Sequence, residues 1–136
     1  MLRQACRLIP FERSIPAGVQ ISAELVWRRE GWLELSYGVL ARAAKGIGVL
    51  KLPAGLKDGP QQGQRKDELW TTTCFEAFIA APGEQRYWEV NLAANGDWAL
   101  YRFDGYRSGK TQQELSTPPT AVSYTHLTLP TTQVVG

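Results

Sequence analysis

The stretch TCFEAFIA, from Thr73 to Ala80, gives the clearest indication of the fold. Its side chains alternate with a period of two, so successive residues point to opposite sides of a strand. Both sides are mostly apolar, which predicts a strand packed on both faces inside a sandwich or barrel. The exception is Glu76, a carboxylate in the middle of the strand. Because an unpaired buried carboxylate is costly, we expect Glu76 either to have hydrogen-bonding partners or to face a wet cavity.

Alternating segments before and after this stretch predict an all-β chain. The candidate strands are, in chain order, 21–27, 33–39, 47–52, 72–80, 86–92 and 97–103. The last two flank Asn95-Gly96, a dipeptide that strongly favours a hairpin turn. The segment 53–68 is rich in Gly, Pro and Gln and has no periodic pattern, which predicts a long polar loop. Short strands joined by regular turns indicate an antiparallel β-sandwich.

Composition narrows the class of protein. The chain has 136 residues, a net charge of +2 and 43% hydrophobic residues, as expected for one soluble globular domain. The small, dispersed charge argues against a nucleic-acid surface. No segment approaches the roughly 20 apolar residues of a membrane span, and no secretory signal is recognisable. We therefore expect a cytoplasmic protein with Cys6 and Cys74 reduced.

The end of the chain has an unusual sequence. The stretch VSYTHLTLPT, residues 122–131, resembles, codon for codon, the translation of a common transposon-type sequencing adapter. We therefore expect a domain over residues 1–121 and a non-native segment over 122–136, with further strands of the natural protein following residue 121. The only histidine, His126, lies in that segment, and the only methionine is Met1. Residues 2–121 thus offer no histidine for catalysis or metal binding.

The block from Asp67 to Arg107 resembles the central part of the DOMON-like family, whose members are related to family 9 carbohydrate-binding modules. The motifs that carry the resemblance are Leu69-Trp70, Thr73-Cys74-Phe75-Glu76, Tyr87 to Asn91, Gly96-Asp97-Trp98 and Gly105-Tyr106-Arg107. The resemblance implies a β-sandwich. The superfamily contains both sugar binders and haem binders.

The resemblance also suggests a binding site. In the family 9 modules an aromatic residue before the strand and a carboxylate within it hold the sugar, and Trp70 and Glu76 match these positions. Stacking aromatics and planar hydrogen bonds from charged or amide groups suit sugar recognition. The expected site comprises Trp70, Glu76, Glu89, Asn91 and Arg107. The chain departs from the sugar-binding relatives at Glu89, where they tend to carry a basic residue.

Three functions remain open on this basis. The first is a non-catalytic module that binds a carbohydrate or another small polar ligand. The second is a protein–protein interaction module, and the third is a glycoside hydrolase that uses paired carboxylates such as Glu76 and Glu89. We expect no cofactor, because haem needs axial His or Met or a Cys thiolate, and residues 2–121 contain only the two cysteines as candidates. The alternative to a binding role for Glu76 is a structural role, in an ion pair or a hydrogen-bond network.

Overall fold

The computed structural model describes residues 1–11, 18–41 and 50–124, and all of its regular structure except one short 3₁₀ turn is β. The strands are β1 (Leu2–Leu8), β2 (Val19–Trp27), β3 (Leu33–Ala41), β4 (Gly59–Gln61), β5 (Cys74–Ala80), β6 (Tyr87–Ala93), β7 (Trp98–Phe103), β8 (Thr111–Gln112) and β9 (Ala121–Ser123). Every strand pairing is antiparallel. The all-β antiparallel prediction is therefore confirmed.

The chain divides into two compact units, Met1–Lys51 and Leu52–Gly136. The first contains one sheet in the order β1-β2-β3. The predicted hairpin is confirmed, with β2 and β3 each extending two residues beyond the predicted ends on the side away from the turn. Its turn is closed by the Arg28 amide, which donates to the Trp32 carbonyl at 2.9 Å, and Gly31 has a φ of 86°, which glycine adopts without strain.

Strand β1 was not predicted, although its sequence LRQACRL alternates in part, with Leu2, Cys6 and Leu8 on one side and Arg3 and Arg7 on the other. The strand pairs along the whole of β2, from Leu2 opposite Trp27 to Leu8 opposite Ile21. The cross-strand ion pair of Arg3 with Glu24 adds to this pairing.

Two expectations fall partly or wholly outside the described residues. Of the candidate strand 47–52, residues 47–49 lie outside them and residues 50–52 are not in a strand. Of the segment expected to be non-native, residues 125–136, with His126, also lie outside them. Its first residues pair as β9 with β4, and the Ser123 hydroxyl donates to the Ala94 carbonyl.

The second unit contains a four-stranded sheet in the order β5-β6-β7-β8 and the two-stranded ribbon β4-β9. The predicted hairpin between β6 and β7 is confirmed. Within its turn the Gly96 amide donates to the Ala93 carbonyl at 3.0 Å, and Gly96 has a φ of 92°. Asn95 stabilises the same turn, since its Oδ1 accepts a hydrogen bond from the Asp97 amide at 3.1 Å.

The expectation that the strand at Thr73 to Ala80 packs on both faces is wrong for the described residues. Phe75, Ala77 and Ile79 are half-buried, whereas Glu76 and Phe78 on the other side are exposed. The reason is the position of β5 at the edge of its sheet, where fewer neighbouring side chains cover it. Glu76 therefore needs no enclosed cavity.

The main hydrophobic cluster of the second unit lies on one face of the sheet, and the buried Trp98 lies on the other. In the cluster, Leu69 packs with Ala93, Ala99, Tyr101 and Phe103, all of them buried. Leu69 belongs to a single 3₁₀ turn, η1 (Leu69–Thr71), which precedes β5. This short turn covers the face of the sheet that carries Glu76 and Glu89.

The predicted loop 53–68 is held to the hairpin more closely than its composition indicates. Besides β4, it forms a bridge in which the Lys66 amide donates to the Trp98 carbonyl at 2.9 Å and the Trp98 amide donates to the Gln64 carbonyl at 3.0 Å. The Arg65 guanidinium lies 4.2 Å from the centre of the Trp98 ring.

Among the described residues no helix is long and apolar enough to cross a membrane.

Candidate functional site

Strand register brings four polar side chains to the covered face of the sheet. Glu76 on β5 lies opposite Asn91 on β6, and Glu89 on β6 lies opposite Tyr101 on β7. Directly opposed residues project to the same face, as do residues two apart on one strand. The pattern of alternation therefore placed Glu76, Glu89 and Asn91 on one side, as expected.

A cleft of about 320 Å³ opens on this face beside the 3₁₀ turn. The side chains that line it are Asp67, Glu68, Trp70, Glu89, Asn91, Tyr101, Lys110, Thr111 and Gln112. Burial of Leu69 holds the turn against the sheet, and the next residue, Trp70, is turned outward with 69% of its surface exposed. The cleft thus combines an open aromatic surface with a floor of polar groups.

Tyr101 is the most enclosed polar group of the floor. Its hydroxyl donates a hydrogen bond to Asp67 Oδ1. Burial, followed by this hydrogen bond and the charge of Asp67, raises the pKa of Tyr101 to about 12, so the phenol is neutral at physiological pH. The Lys110 ammonium lies 3.9 Å from the centre of the Tyr101 ring. Both contacts fix the ring and orient Asp67 at the edge of the cleft.

Asn91 has an unsatisfied acceptor. The residue is 6% exposed, and its Nδ2 donates to Glu89 Oε1 at 3.0 Å. Because a carboxylate can only accept, this bond orients the amide so that Oδ1 faces the other way. Among the described residues, Asn91 Oδ1 has no hydrogen-bond donor. A buried carbonyl oxygen left unpaired is costly, and this atom, which has almost no accessible surface, is a buried unsatisfied acceptor behind the cleft lining.

Glu76 lies next to the cleft without lining it. Neighbouring atoms partly desolvate the Glu76 carboxyl, and this desolvation, together with the charge of Glu89, raises its pKa. Much of the residue's surface is nevertheless accessible to solvent. The Cys74 thiol is 3.9 Å from Glu76 Oε1, as a weak hydrogen bond. Desolvation and the charge of Glu76 in turn raise the pKa of Cys74, so this thiol is not an activated nucleophile.

Arg107 lies in a turn between β7 and β8. It is exposed, with a φ of 51°, and its amide donates to the Tyr87 hydroxyl at 3.2 Å. Its guanidinium lies 5.3 Å from the centre of the Tyr106 ring. Arg107 does not line the cleft. The cation that does is Lys110.

Of the five residues expected in the site, Trp70, Glu89 and Asn91 line one cleft, Glu76 borders it and Arg107 is outside it. Sequence reasoning missed Asp67, Glu68, Tyr101 and Lys110. A signal for Tyr101 was available, because a hairpin centred on Asn95-Gly96 places it opposite Glu89. Nothing in the sequence indicated Lys110, which reaches the cleft through the fold of the segment between β7 and β8.

We expect Glu76→Gln to stabilise the chain at neutral pH. Its pKa is raised in the folded chain, so folding disfavours the ionised form. The resulting loss of folding free energy is absent at pH values below the unfolded-state pKa of Glu76. It develops as the pH rises from that value to the folded-state pKa, and it is constant at higher pH. Urea denaturation should therefore show a gain at about pH 7 that disappears near pH 3.

The control for this measurement is Glu84→Gln, which makes the same change in an exposed turn. The prediction fails if Glu76→Gln gives the same gain at both pH values, or if it destabilises the chain at neutral pH.

Within the described residues no group of three or more His, Cys, Asp or Glu side chains is placed to hold a metal ion.

Comparison with known proteins leaves the site to be interpreted from its own geometry. No family model matches the chain, and neither a curated protein nor a solved structure matches it.

Proposed function

We propose that the second unit is a non-catalytic module that binds a small polar ligand, most specifically a carbohydrate, in the cleft beside Trp70. The single observation that carries this proposal is the cleft itself, which places the exposed indole of Trp70 beside the polar side chains of Glu89 and Asn91. A sugar offers hydroxyl donors for the carboxylate and a C–H surface for the ring. The volume of about 320 Å³ lies at the small end of ligand pockets, which fits one or two sugar rings.

Removal of the aromatic surface tests this proposal. Titration with glucose and cellobiose at millimolar concentration should change the tryptophan emission of the chain, because a sugar that stacks on Trp70 displaces water from an exposed indole. Trp70→Ala should abolish the change. Circular dichroism should be unaltered, since the Trp70 side chain is exposed and Leu69 holds the turn in place.

Trp32→Ala is the matched control. This tryptophan is 64% exposed and belongs to the first unit, away from the cleft residues in sequence and sheet. The sugar-dependent change should persist in this variant. If no mono- or disaccharide alters the emission of the unmodified chain, or if Trp32→Ala removes the response as Trp70→Ala does, the carbohydrate proposal is wrong.

A second candidate, a glycoside hydrolase, is favoured by one observation. Desolvation, followed by the charge of Glu89, raises the pKa of Glu76, and a carboxyl with a raised pKa can serve as a general acid. Turnover of a chromogenic glycoside that disappears in Glu76→Gln and persists in Glu84→Gln would support it. Absence of turnover with a glycoside that binds would leave the non-catalytic module.

A further inference from the structure

The cleft is acidic. Three of its lining side chains are carboxylates, Asp67, Glu68 and Glu89, and Lys110 is the single cation among the described residues that line it. The Lys110 ammonium is engaged over the Tyr101 ring. The charges of the lining therefore sum to a negative value, and a ligand that carries positive charge is attracted to it.

Two hydrogen-bond donors of the cleft floor are already engaged within it. Asn91 Nδ2 donates to Glu89 Oε1 at 3.0 Å. The hydroxyl proton of Tyr101 is directed to Asp67 and is not offered to a ligand. The carboxylates accept and cannot donate when ionised. A ligand that satisfies this floor has to bring donors of its own.

Trp70, the tryptophan that lines the cleft, also favours a cationic ligand. Trp70 presents an open indole face beside the carboxylates. The face of an indole attracts cations as well as C–H groups, and tryptophan does so more strongly than the other aromatic residues. Negative charge and an indole face thus coincide in one cleft, and they come from different residues.

We propose that the preferred ligand is an amine-bearing polyol, such as an amino sugar, whose ammonium group pairs with the carboxylates while its ring stacks on Trp70. This inference rests on the proposed function and specifies its ligand. Glu68 is a suitable residue for testing the charge, because its backbone carbonyl, and not its carboxylate, accepts the hydrogen bonds that form η1, from the amide and hydroxyl of Thr71.

The experiment compares glucosamine, glucose and N-acetylglucosamine by isothermal titration of the full chain at about pH 6 and low salt, where the free amine is protonated and ordinary carboxylates are ionised. We expect glucosamine to bind about tenfold more tightly than glucose, because charge-assisted hydrogen bonds are roughly twice as strong as neutral ones. N-acetylglucosamine, which lacks the positive charge, should bind no better than glucose. The glucosamine advantage should shrink at high salt.

Two variants identify the cleft as the source of the preference. Glu68→Gln should reduce the glucosamine advantage over glucose severalfold, whereas Glu84→Gln, at an exposed turn, should leave that advantage unchanged. Equal binding of glucosamine and glucose would overturn this inference and leave the proposed function standing. Equal effects of Glu68→Gln and Glu84→Gln would overturn it too. If none of the three sugars binds, both the inference and the proposed carbohydrate function are wrong.

Discussion

Gly63→Ala is expected to destabilise the second unit by about 3 kcal/mol, which lies at the upper end of the usual cost of overpacking. The backbone at Gly63 lies directly against the β6–β7 hairpin, and a Cβ added there would overlap with the carbonyl of Gly96 and the amide of Asp97. Both neighbours are backbone atoms in a hydrogen-bonded turn, so neither can rotate away as a side chain could. The strain can be relieved only if the loop and the hairpin separate.

Urea denaturation followed by tryptophan fluorescence measures this loss. Gln62→Ala is the matched control, because it introduces the same residue one position earlier at an exposed site. It should change the free energy of unfolding by less than about 0.5 kcal/mol. If Gly63→Ala is as stable as Gln62→Ala, the loop does not approach the hairpin as closely as the structure indicates.

Asp97→Ala is expected to cost about 3 kcal/mol at neutral pH, because it removes a buried acceptor and leaves a backbone donor unpaired. The Asp97 side chain is 11% exposed and lies 3.2 Å from the Lys66 ammonium. Its Oδ1 accepts from the Gln64 amide at 2.9 Å, and its Oδ2 accepts from Asn95 Nδ2 at 3.2 Å. One carboxylate therefore joins the loop to the hairpin turn.

The pH dependence of this loss has a definite sign. Desolvation raises the pKa of Asp97, but the hydrogen bonds from Gln64, Lys66 and Asn95 outweigh it, and the net pKa is lowered. A lowered pKa stabilises the folded chain above the unfolded-state value near pH 4, and that contribution is lost as the pH falls through the folded-state value.

The difference in stability between the unmodified chain and Asp97→Ala should accordingly be largest at about pH 7 and smaller near pH 3. Glu84→Ala, at an exposed turn, should show neither the loss nor the pH dependence. A loss from Asp97→Ala that is equal at both pH values would indicate that packing, and not the charge, links the loop to the turn.

Local sequence patterns were sufficient to predict the strands whose polar and apolar side chains alternate. The alternation in β2, β3, β6 and β7 and the Asn95-Gly96 turn correctly predicted two hairpins, because period-two patterning and turn chemistry depend only on neighbouring residues. The same patterning placed Glu76, Glu89 and Asn91 on one face, since register across a hairpin follows from the position of its turn.

Other features depend on residues far apart in the chain. Strand β1 alternates only in part and pairs along the whole of β2. Residues 53–68 have the composition of a free loop, yet Gly63, Gln64 and Lys66 are held against the hairpin. Both features depend on contacts between segments far apart in the chain, which the local pattern of side chains does not reveal.

For the candidate site, the sequence by itself determined which residue types are available and which of them share a face of the sheet. Tertiary structure alone decided that Arg107 lies outside the cleft and that Lys110 lines it, because both residues lie in irregular segments where no periodicity fixes direction. It also decided that the exposed indole of Trp70 lies in one cleft with Glu89 and Asn91. The lining of a cleft is a property of surroundings in space, and that is the observation on which the proposed function rests.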